Sequence, residues 1–138
     1  MREAAVVIGN RGKPLYWHLP EGRSSGHLPD SEGNKDSQDL WDFIINNLDC
    51  IEGIAHSHPG DGVPAPSYTD ITTFISMEKA LGRVNWWIIS SDSAIVVNWK
   101  GPNPEHYECK SLHSEPDWVD LLRQKSEYFS LKEDTNEL

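Results

Sequence analysis

The stretch "VNWWIISSDSAIVVNW", residues 84–99, constrains the fold more than any other part of the chain. Two runs rich in Val, Ile and Trp flank Ser91-Asp92. β-Branched and aromatic residues on both sides of a two-residue turn predict neighbouring antiparallel strands. "EAAVVIGNRGKPLYWHLP" near the start has the same form, with apolar runs at 4–9 and 15–19 around an Asn-Arg-Gly-Lys turn. A second hairpin is expected there.

Helical periodicity separates the strands. Leu40, Trp41, Phe43, Ile44, Ile45 and Leu48 recur at three and four, which predicts a helix of about ten residues started by Ser37 or Asp36. "DCIEGIAHSH" then alternates as a half-buried strand. Ile71, Phe74, Ile75 and Leu81 are spaced for a second helix, which Gly82 ends. "EHYECKSL" reads as a last strand, and Trp118, Leu121, Leu122, Tyr128 and Phe129 mark one face of a carboxy-terminal helix. Residues 21–37 have no apolar period and read as an exposed loop, and residues 131–138 as a frayed tail. Interleaved strands and helices with two hairpins predict an α/β (α+β) domain over residues 1–130, a mixed sheet with helices on its faces.

Composition narrows the function classes. The 138 residues suit one domain, and 37% aliphatic and aromatic residues with six tryptophans suit a packed core over disorder. The net charge of −10 repels phosphate backbones and anionic lipid, so nucleic acid is not an expected partner. No apolar run approaches the roughly 18 residues needed to span a bilayer, and no segment has the form of a signal peptide. A cytoplasmic protein without a membrane partner is expected, with Cys50 and Cys109 reduced and packed.

Residues 53–70 read "GIAHSHPGDGVPAPSYTD". Side chains two apart on a strand share a face, so His56 and His58 present two imidazoles to one side and Ser57 points to the other. Zinc takes neutral imidazole nitrogen and carboxylate oxygen, and catalytic sites use three protein ligands. His56, His58 and a nearby carboxylate make that set. Residues 59–66 exclude regular structure, and a loop of that length can fold the next helix start back over the histidines. Asp70 falls in the first helical turn, where the helix dipole favours a carboxylate. The competing reading is a strand, a turn and a capped helix. Ser67-x-x-Asp70 has the form of a capping box, although the usual box carries Glu or Gln at its far end. Capping accounts for Ser67 and Asp70 and leaves the paired histidines unexplained.

His56-Ser57-His58-Pro59 followed by Ser67-x-x-Asp70 resembles the zinc signature of the JAMM (MPN-plus, Mov34/JAB) metalloproteases, and the element order is similar over most of the chain. The gap between His58 and Ser67 is one residue longer than in the commonest eukaryotic form. The short chain is more similar to the free-standing prokaryotic members. The resemblance implies a cytidine-deaminase-like mixed-sheet fold, Zn2+ held by His56, His58 and Asp70, and Ser67 stabilising an oxyanion. It also implies a glutamate near the start of an early strand that orients and deprotonates water. Glu3, directly before "AAVVIG", stands at that position; Glu21 and Glu52 are the alternatives.

The activity so implied is hydrolysis of an amide bond at or near the carboxy-terminal tail of a ubiquitin-like or sulfur-carrier protein. Loop 21–37 is a candidate for gripping that tail. The chain has no Gly-x-Ser-x-Gly elbow, which fits a mechanism needing no side-chain nucleophile. The alternative is a non-catalytic MPN-type scaffold that retains zinc. A zinc deaminase is disfavoured because the His-x-Glu and Pro-Cys-x-x-Cys pair is absent. His18, His27, His106 and His113 lack a spaced partner and are read as structural or surface residues.

Overall fold

The structure is a computed structural model describing the backbone of residues 3–19 and 35–136 and the side chains of residues 3–19 and 37–126. β1 (Ala5–Gly9) and β2 (Pro14–His18) form the first hairpin, pairing antiparallel with Ala5 opposite His18. Between them Arg11 and Gly12 take positive φ, and Gly12 supplies that conformation without a Cβ penalty. α1 (Lys35–Asn46), β3 (Ile51–Ser57), α2 (Tyr68–Leu81), β4 (Asn85–Ile89), β5 (Ala94–Trp99), β6 (Tyr107–Ser111) and α3 (Asp117–Asn136) follow.

The six strands form one sheet in the order β2-β1-β3-β4-β5-β6. β3 and β4 run parallel across the α2 crossover, and the other neighbours are antiparallel. The chain is therefore a mixed α+β domain. The hairpin over 84–99 forms as its composition predicts, closed by a Ser90 N–H to Ser93 carbonyl bond of 2.9 Å.

Alternation along the strands sorts the core into two layers. Ala5, Val7, Ile54, Trp86, Ile88, Ile95 and Val97 pack with Leu40 and Ile44 of α1 and Phe74 and Met77 of α2. Val6, Ile8, Ala55, Trp87, Ile89 and Ala94 pack with Trp118, Val119 and Leu122 of α3. Trp86 and Trp87 thus enter opposite layers, and burying side chains of this size contributes roughly 1.5–3 kcal/mol each. Gly53 permits the tight β3–β4 contact, because a Cβ there would lie 2.0 Å from the Asn85 carbonyl oxygen.

Several expectations shift. α1 begins at Lys35, so Asp36 and Ser37 lie inside its first turn instead of capping it. Val119 takes the buried place expected of Leu121, which is 41% exposed. α3 continues as backbone helix to Asn136, into the segment read as a frayed tail. The side chains of Tyr128 and Phe129, like most of loop 21–37, lie outside the described residues. Cys50 and Cys109 are unpaired but exposed, one in a 3-10 turn and one on the edge strand β6, so they are not packed. Among the described residues no helix is long and apolar enough to cross a membrane.

Candidate metal centre

β3 delivers the two histidines as its alternation requires. His56 lies on the α1/α2 side of the sheet, opposite Ala5 in the β1–β3 register. His58 is one residue past the end of β3, but its N–H bonds to the Ile89 carbonyl at 2.8 Å, so the extended backbone continues through it. The two imidazole centroids are 4.9 Å apart. His56 is 2% exposed, with its ring edge-on to Phe74.

The loop after His58 is clasped to the β4–β5 turn. The Gly62 N–H donates to Asp92 Oδ1 at 2.7 Å, the Ser90 hydroxyl to the Gly62 carbonyl at 2.6 Å, and the Ser91 N–H to the Gly60 carbonyl at 3.1 Å. Gly60 and Gly62 both have φ near +90°, a conformation that L side chains rarely adopt. Arg123 of α3 donates from Nε to the Ser90 carbonyl at 2.9 Å, while Glu115 and Asp120 hold its guanidinium. The loop is thereby braced from the far side of the sheet.

The loop returns the start of α2 to the histidines. Ser67 is the N-cap: its hydroxyl accepts the Asp70 N–H at 3.0 Å, and the Asp70 carboxylate accepts the Ser67 N–H at 2.9 Å. Asp70 is fully buried and also lies 3.2 Å from His58 Nε2 and 3.5 Å from His56 Nε2. Capping and site are therefore the same residues. Ser67-x-x-Asp70 caps α2 and borders both histidines in one geometry.

Glu3 completes the cluster. It precedes β1 with the parity of Ala5, and the antiparallel register brings it beside His58. It is 6% exposed. Ligand atoms of Glu3, His56 and His58 lie within 4.8 Å of one another, the one group of three such residues among those described. The structure thus draws Glu3 into the potential ligand set itself, with Asp70 touching both imidazoles. Glu52 is excluded, since it bonds to the Asn85 side chain at 3.3 Å, and Glu21 lies outside the described residues.

Electrostatics prepares these groups for a cation. Burial pushes the His56 pKa down, outweighing the pull of Asp70, and favours a neutral ring. The His58 pKa is raised, chiefly by its hydrogen bond to Asp70, with the Glu3 charge adding to the effect. Burial pushes Asp70 up, but the adjacent imidazoles of His56 and His58 and the Ser67 backbone N–H outweigh it and hold the carboxyl well below the usual range. Both His56 ring nitrogens and Asp70 Oδ1 are buried without a hydrogen bond. Buried polar atoms are normally satisfied, and a metal ion is one of the partners that accounts for such a set. Two imidazoles and carboxylate oxygens are a donor set that zinc accepts.

Among the described residues, none of His18, His106 and His113 joins that group of three. His18 is buried on β2, His106 Nδ1 is 3.0 Å from the Gly101 carbonyl, His113 is exposed, and His27 lies outside the described residues. Sequence reasoning missed the bracing by Ser90, Asp92 and Arg123. Their only advance signal was the expected two-residue turn, since which loop it holds depends on the tertiary fold. No family model and no curated protein matches the chain.

Proposed function

We propose that the chain is a zinc-dependent peptidase of the JAMM type, with the cytidine-deaminase-like fold of that family. Its substrate is an amide bond at or near the carboxy-terminal tail of a ubiquitin-like or sulfur-carrier protein. The observation that carries this reading is the convergence of His56, His58, Asp70 and Glu3, with both His56 ring nitrogens and Asp70 Oδ1 buried without a hydrogen bond. A helix that leaves the histidine strand and returns to a parallel neighbour, with its first turn on the histidines, supports it further.

His56, His58 and Asp70 hold the ion in this reading. When bound, zinc supplies a Lewis acid that acidifies water and polarises the scissile carbonyl. Glu3 accepts the proton of the attacking water and returns it to the departing amine, so its carboxylate ends the cycle unchanged. The Ser67 hydroxyl spends a lone pair on the Asp70 N–H and keeps its own proton for the developing oxyanion.

The test is cleavage of isopeptide- and peptide-linked ubiquitin-like proteins at saturating zinc, comparing wild type with Glu3→Gln. General-base loss is expected to slow turnover by roughly 10²–10⁴-fold. A zinc-loaded wild type that cleaves none of them, or a Glu3→Gln variant as fast as wild type, contradicts the reading and favours the zinc-retaining scaffold.

A further inference from the structure

Ser57 lies between the two histidines but faces the α3 layer, where it is fully buried. The apolar side chains of Val6, Ala55 and Leu122 belong to that layer. A second buried hydroxyl, Ser126 of α3, lies 2.9 Å from Ser57 Oγ. Two hydroxyls in an apolar layer are costly unless their bonds are used, and alanine would suit packing alone.

Their use is visible in the strand pairing. Ser57 N–H donates to the Ala4 carbonyl at 2.9 Å, as an antiparallel pair requires. The reciprocal Ala4 N–H goes to the Ser57 hydroxyl at 2.9 Å. Ser126 Oγ is 2.9 Å from both Ser57 Oγ and the Leu122 carbonyl, and it has one proton to give. It either donates to Ser57, or donates to Leu122 and accepts from Ser57. In both arrangements Ser57 Oγ keeps a lone pair for Ala4.

The Ala4 N–H belongs to the same rigid plane as the Glu3 carbonyl. Fixing that plane fixes the position of the Glu3 Cα and the Cα–C bond about which Glu3 turns, and with them the point from which its side chain reaches toward His58. We propose that Ser57 and Ser126, on the face of the sheet away from the histidines, are positioning residues for Glu3. They hold the Glu3–Ala4 peptide through a chain of two hydroxyls anchored on α3. This inference rests on the zinc reading of the site.

The experiment measures zinc affinity by chelator competition, with thermal stability recorded for each variant. Removing a group that supports a metal site weakens binding by roughly 10–100-fold, which is the loss expected for Glu3→Gln. Ser57→Ala is expected to weaken zinc by about tenfold, Ser126→Ala by less, and Ser57→Thr, which keeps the hydroxyl, to restore it. In the double variant Ser57→Ala/Glu3→Gln the loss should equal that of Glu3→Gln alone, because the hydroxyl then has nothing to position. Losses that multiply overturn the proposal. So does a Ser57→Ala protein that is less stable but binds zinc like wild type, or a Glu3→Gln protein with unchanged affinity. If Ser57→Ala fails to fold, the same comparison with Ser126→Ala decides. A wild type that binds no zinc fails the metal reading itself, and is distinguished by that single measurement.

Discussion

The two ends of α2 each bury a carboxylate, and they treat it in opposite ways. Near the carboxy-terminal end, Glu78 is 7% exposed and surrounded by donors. Arg83 Nη1 at 2.9 Å, Trp86 Nε1 at 3.0 Å, the Val84 N–H at 3.3 Å and the Tyr107 hydroxyl all bond to it. Arg83 in turn lies 3.8 Å over the Trp99 ring. At the amino-terminal end, Asp70 is more deeply buried, yet Oδ1 has no hydrogen bond and faces the His56 imidazole across 3.5 Å. A carboxylate buried to hold a fold is saturated, as the desolvation cost requires. One left short of donors beside two histidines retains capacity for a ligand.

The largest expected effect comes from the saturated end. Glu78→Ala strands the Trp86 and Val84 donors and removes the partner of Arg83, which should lower stability by about 3 kcal/mol. Urea unfolding of the metal-free protein measures it. Zinc affinity should stay within about twofold of wild type, because well-separated sites act independently. A zinc affinity that collapses with Glu78 would erase the contrast between the two ends.

Proton competition sharpens the contrast at the other end. A histidine ligand must be neutral, and the raised His58 pKa means that its proton competes with metal from a pH above the ordinary value of about 6.5. His56, pushed down, does not compete in that range. Zinc affinity should therefore fall by about tenfold per pH unit once pH drops below the folded His58 value, since one proton is displaced. For the metal-free protein the signs separate. The raised His58 contributes stability that is full below about pH 6.5 and lost as pH rises through its folded value. The depressed Asp70 contributes stability present above about pH 4 and lost as pH falls through its own folded value. Chelator competition across roughly pH 5–8 resolves the His58 limb, and urea unfolding carried down through roughly pH 5–1 follows the Asp70 limb.

The smallest effect expected is that of Tyr107→Phe. It removes one of several bonds to Glu78, together with the hydroxyl that makes it, whose pKa is pushed up by burial and by that carboxylate. A loss of about 1 kcal/mol in urea unfolding, with zinc affinity unchanged, fits a saturated cluster. A loss as large as that of Glu78→Ala would mean that Tyr107, and not the set of donors, neutralises the site.

The legible parts of this chain are those written in local pattern. The 84–99 hairpin, the Ser67 cap, the Gly82 stop at φ 79° and the common face of His56 and His58 all follow from period and turn chemistry. The meeting of Asp70 with the histidines was expected from loop length and the helix start. Glu3 entered through resemblance alone, and the Ala5–His56 register is what places it. Interactions between elements distant in sequence left no local trace. Ser57 and Ser126 are 69 residues apart, Glu78 and Tyr107 are 29 apart, and nothing in their spacing announces either contact. The inward turn of Val119 in place of Leu121 was likewise decided by packing on the sheet.

Metal content tests the centre most directly. Wild type and Asp70→Ala are dialysed against zinc, freed of excess and subjected to elemental analysis, with folding checked by circular dichroism. About one zinc per chain in the wild type and a small fraction of that in the variant is the expected result for a three-ligand site. A folded wild type without zinc, or an Asp70→Ala protein that retains it in full, would contradict the metal centre. Residues 53–70 would then be a strand, a clasped loop and a capped helix.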